Sequence, residues 1–144
     1  MSILIVTGAA IIVLLGAVHL VYTVQSKPDG GKMTPTDERV QSAMQLTGGL
    51  GLAPHIDSSL WRAWVGFNLS HSVGVIVGGL LIGLPALVDF DAAIGSPGWV
   101  VAAVVLPPTY LVISIRYWFR EPTVGIAAAG SLIVAGVCWG LLAG

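Results

Sequence analysis

The chain has 144 residues, a length suited to one domain, and 56% of them are hydrophobic while only 9% are charged. A soluble domain carries roughly 25% charged residues, so this composition, with a mean hydropathy of +0.92, excludes an ordinary water-covered fold. The formal net charge of −1 offers no basic face for nucleic acid, and a single cysteine, Cys138, excludes an internal disulfide or a paired-cysteine metal or redox motif.

Four apolar runs approach the ~20 residues that cross a ~30 Å hydrocarbon layer. They cover residues 3–24, 60–84, 98–119 and 123–142. In lipid each backbone N–H and C=O needs a partner within its own segment, which selects helices. The runs lack the short alternating strands of a membrane barrel. The expected architecture is therefore an all-α membrane protein, a single domain over residues 1–144, with four transmembrane helices in an antiparallel bundle.

The first run has no Lys or Arg before it and no small-residue cleavage site after it. It is expected to be a retained span rather than a secretory signal. The loop that follows, residues 25–59, holds most of the charge. It opens on the turn-rich SKPDGGK and continues into TPTDERVQSAM. There Thr34 is placed to cap and Pro35 to open a short helix on the membrane surface, with Asp37 and Glu38 near its positive end. TGGLGLAPHID, with His55, reads as irregular chain.

Ser58 and Ser59 precede the second run as caps, and Pro85 is expected to break its regular hydrogen bonding. Ser96-Pro97 opens the third run and Glu121-Pro122 the fourth. Pro107-Pro108 should kink the third and free carbonyls about a turn earlier, which Thr109 or a neighbouring helix would take up. Cys138 reads as a small buried hydrophobe of the fourth run.

All six Lys and Arg fall in or beside two loops: Lys27, Lys32, Arg39 and Arg62 at the first, Arg116 and Arg120 at the third. The second loop carries Asp89 and Asp91 instead. The positive-inside rule makes the basic loops cytoplasmic and puts both termini outside. Trp61, Trp99, Tyr117 and Trp118 fall near the expected boundaries, where amphipathic rings prefer to sit.

One stretch sets polar side chains inside an apolar run: WRAWVGFNLSHSVGVIVGG, residues 61–79. Trp61, Trp64, Asn68, His71 and Val75 share a helix face. Ser70, Gly74 and Gly78 recur every fourth residue, a small-residue stripe that would admit a neighbouring backbone. Gly136, Gly140 and Gly144 form a similar series in the fourth run, suited to packing within the bundle or a homo-oligomer. The other runs offer His19 and Tyr110 in the same, cytoplasmic half of the bundle, with His19 and His71 at different depths within it. His19, Asn68, His71 and Tyr110 are thus the candidate intramembrane polar site. Interhelical Asn and His bonds commonly serve as packing devices. Ionisable groups inside a membrane are equally a mark of ligand or proton sites. Bis-His haem ligation by His19 and His71 is one such alternative, and a quinone another. With His55 in a loop and no carboxylate nearby, no metal ligand set is recognised.

HLVYT at residues 19–23, WRAWVGFNLSHSVG at 61–74 and RYWF at 116–119 together resemble a group of small, uncharacterised bacterial integral membrane proteins. That group has four transmembrane helices and a recurrent W-x-x-W-x-G-F-N-x-S-H-S-x-G-like segment. The resemblance implies the same architecture in a bacterial inner membrane and carries over no catalytic residue. The expected role is structural or accessory, with the lipid bilayer and other membrane proteins as partners. The rival is a binder of a lipophilic ligand or redox cofactor, with or without catalysis.

Overall fold

The computed structural model describes residues 1–46 and 58–143. The irregular stretch expected over residues 47–57, His55 within it, and Gly144 lie outside the described residues. The described residues form six helices: α1 (Ser2–Gln25), α2 (Glu38–Gln45), α3 (Leu60–Val88), α4 (Phe90–Ile94), α5 (Pro97–Tyr117) and α6 (Arg120–Ala143). Among them α1, α3, α5 and α6 are long and apolar enough to cross a membrane. The chain divides into two compact units, Met1–Leu15 with Val75–Gly144, and Gly16–Gly74.

In the first unit, every long helix contributes to the core. Ile5 and Ala9 come from α1, Ile82 and Ala86 from α3, Ala103 from α5, and Ile133 and Val137 from α6. Glycines set how closely these helices approach. A Cβ added at Gly8 would stand 2.6 Å from the Ala129 carbonyl oxygen, and one at Gly136 would stand 3.1 Å from that of Met1. At Gly79 it would meet Val13 at 2.8 Å and the Ala9 carbonyl at 3.2 Å, and at Gly140 it would meet Phe90 at 2.7 Å. At Gly8, Gly79 and Gly136 a neighbouring backbone carbonyl comes this close because no side chain intervenes, whereas Gly140 makes room for the Phe90 and Ile94 side chains.

Pro85 does not end α3, which continues to Val88. Proline lacks the N–H that the carbonyl four residues earlier would accept. That carbonyl belongs to Leu81, and the indole Nε1–H of Trp99 donates to it at 3.3 Å. A neighbouring helix thus supplies the bond that proline withholds. The chain then turns through α4, a short helix not anticipated from the sequence. Asp89 caps it, its carboxylate accepting from the Ala92 N–H at 3.0 Å.

The α5 prolines also lie within a helix, and Pro107 is buried. A Cβ at Gly130 of α6 would stand 3.1 Å from the Pro107 ring, so the ring seats where α6 has no side chain. Thr109 does not take up a carbonyl freed by these prolines. Its hydroxyl donates to Val105 at 2.8 Å, the carbonyl that Thr109's own N–H serves in a regular helix. Cys138 is exposed rather than buried, because the inward face of α6 runs through Ile126, Ala129, Ile133, Val137 and Gly140 and Cys138 is rotated off it.

In the second unit, α1 ends in a tight turn where Lys27 and Gly30 exchange backbone hydrogen bonds of 2.8 and 3.2 Å. Gly31 follows with φ +133°, a conformation that L side chains rarely adopt. The cap of α2 is Asp37 and not Thr34: its carboxylate accepts from Arg39 N–H at 2.8 Å and Val40 N–H at 3.4 Å. The Thr34 hydroxyl donates instead to the Lys27 carbonyl at 2.8 Å, which ties the turn to the approach of α2. At the start of α3 the Ser59 hydroxyl accepts from the Arg62 N–H at 3.3 Å.

Candidate functional site

The polar stretch occupies the N-terminal half of α3, where Trp61, Asn68 and Ser72 are buried. Their spacing follows the helix repeat, so one face carries all three. The Asn68 amide nitrogen donates to the Trp64 carbonyl, one turn back, at 2.8 Å. A carbonyl only accepts, so this bond fixes which end of the amide is which. The oxygen Oδ1 is left facing His19 of α1, whose Nε2 stands 2.9 Å away. An amide oxygen also only accepts, so Nε2 of His19 carries the hydrogen of this bond.

Two hydroxyls flank this bond. Thr23 donates to the His19 carbonyl and Ser72 to the Asn68 carbonyl, each at 2.8 Å. Thr23 is 1% exposed and Ser72 0%, so each buried hydroxyl is satisfied by its own helix. His71 is half-buried beside the pair. Its ring meets that of His19 edge-to-face, with centroids 5.6 Å apart and an interplanar angle of 83°. It also lies nearly parallel to the Phe67 ring at 6.1 Å. Trp61 and Trp64 stack at 5.5 Å toward the start of the helix.

The structure therefore gathers His19, Asn68 and His71 in one unit. Tyr110 is half-buried on α5, in the other unit. A packing stripe of Ser70, Gly74 and Gly78 is the expectation from the sequence. Ser70 is exposed and bonds the Phe67 carbonyl at 2.9 Å, and a Cβ at Gly74 or Gly78 would meet no described atom within 4 Å. Each residue turns a helix by about 100°, so Ser70 and Gly74 point away from the face of Asn68. Among the described residues, the α3 glycines where an added Cβ would meet a neighbour are Gly79 and Gly83. Gly136 and Gly140 lie on the buried face of α6. Thr23, Ser72 and Phe67 were not singled out as site residues from the sequence. The signal available was that Thr23 and Ser72 each follow a candidate polar residue by one turn.

Among the described residues, no group of three His, Cys, Asp or Glu side chains could hold a metal ion. No known protein family, no curated protein and no solved structure matches the chain.

Proposed function

We propose that this chain is a multi-pass integral membrane protein of the cell membrane with a structural or accessory role. In this reading its spans form an antiparallel bundle, the two basic loops face the cytoplasm and both termini lie outside. The His19–Asn68 pair is a joint between α1 and α3. One observation carries the reading. Both ends of the Asn68 amide are used within the chain, one by His19 at 2.9 Å and the other by Trp64 at 2.8 Å. A site kept for a ligand holds polar groups open to it, whereas these are already satisfied by their neighbours. The glycine contacts of α1 with α3 and with α6 support close packing of the bundle.

A second reading has its own observation. The His19 and His71 rings lie 5.6 Å apart beside a parallel phenylalanine, a grouping that would suit a haem or the headgroup of a quinone. Purification of the full chain in mild detergent separates the two. The structural reading expects a preparation without visible absorption, and His71→Gln that retains both stability and the proteins that co-purify. A Soret band, or a stoichiometric quinone lost in His71→Gln, would replace it with the cofactor reading.

A further inference from the structure

The chain between α5 and α6 is only Trp118 and Phe119, and it is bracketed by Arg116 and Arg120. All residues from Arg116 to Glu121 are exposed. Tyr117 is 76% and Phe119 64% exposed, a large aromatic surface for a connecting turn. The span α5 has 21 residues, and at about 1.5 Å per residue it covers close to the ~30 Å of hydrocarbon. Its last turn therefore reaches the level of the lipid headgroups. Aromatic rings favour that level because one end is apolar and the other wet. Guanidinium groups offer a planar fork of donors that matches phosphate. Among the described residues neither arginine has an ion-pair partner, and the one carboxylate of the turn is Glu121, in the first turn of α6.

We propose that this turn is a binding surface for the headgroups of anionic phospholipids, with Arg116 and Arg120 contacting phosphate and Tyr117 and Phe119 seated among the upper acyl chains. The occupant follows from charge and depth together. A soluble phosphorylated partner would satisfy the arginines but would leave the exposed rings in water. A zwitterionic headgroup adds a positive group that the two arginines repel. The inference rests on the membrane reading given above.

The test uses the full chain in detergent micelles, titrated with phosphatidylglycerol or with phosphatidylcholine of the same acyl chains, and retained lipid counted by native mass spectrometry. Wild type is expected to retain phosphatidylglycerol in preference. Arg116→Gln with Arg120→Gln is expected to lower that preference by roughly 10-fold or more, since each basic residue near an anionic surface contributes about fivefold. The paired Lys substitutions should restore part of it by returning the charge. Lys27→Gln with Lys32→Gln, in the other basic loop, should leave the preference in place. Equal retention of the two lipids, or an unchanged preference in the arginine double variant, would overturn the proposal. So would an equal loss in the lysine double variant, because the effect would then be spread over every basic loop. Release of the chain from membranes by alkaline carbonate would instead refute the membrane reading, and this proposal with it.

Discussion

At Asn68 one side chain bridges two helices because its amide has two ends with opposite roles. The nitrogen is held by the Trp64 carbonyl, which turns the oxygen toward His19. The strength of the joint is readable by a double-mutant cycle with Asn68→Leu and His19→Leu in detergent. Interhelical polar bonds average about 0.6 kcal/mol and reach about 1.7, so a coupling in that range is expected. Strict additivity of the two substitutions would remove the joint from the account. The polar residues themselves were legible in the sequence, since Asn68 and His71 interrupt an apolar run. Which of them pairs with His19 was not. That depends on the rotation of α3 about its axis, and the apolar residues around Asn68 give the helix no single polar side from which to read it.

At the scale of the element, two features decide how α3 is built. The first is its passage through Pro85, where Trp99 serves the Leu81 carbonyl. Trp99→Phe should cost about 1 kcal/mol, the usual net value of such a bond. In a Pro85→Ala background the helix regains its own N–H for Leu81, and the same substitution should then cost almost nothing through this bond. Equal losses in both backgrounds would show that Trp99 acts by packing alone. The second feature is the glycine face. Gly79→Leu drives a side chain into Val13 and the Ala9 carbonyl and is expected to destabilise by about 1–3 kcal/mol, whereas Gly74→Leu enters open space and should be near neutral. Thermal unfolding of the two variants checks this, and a larger loss at Gly74 would contradict it. Glycine spacing alone could not separate these positions. Gly74 and Gly78 repeat as regularly as Gly79 and Gly83, and only the neighbouring helix distinguishes the pairs. The short helix α4 was missed because five residues are too few for a periodic pattern, although Asp89 was visible as a capping type.

At the scale of the whole molecule, the number of long apolar helices was the most legible property of the chain. A run of about 20 apolar residues has few other uses, and four such runs correspond to α1, α3, α5 and α6. Orientation rests on a different signal, the placement of every Lys and Arg in or beside two alternate connections between the long apolar runs. Both parts of the claim meet in one measurement, cysteine accessibility in intact cells with a membrane-impermeant thiol reagent. Cys138 is exposed on α6, so the background carries Cys138→Ser. The account expects Asp91→Cys to react in intact cells, and Lys32→Cys to react only after the membrane is opened. Reaction of Lys32→Cys but not Asp91→Cys in intact cells would reverse the orientation, and equal reaction at both positions would contradict the crossing of α3 itself.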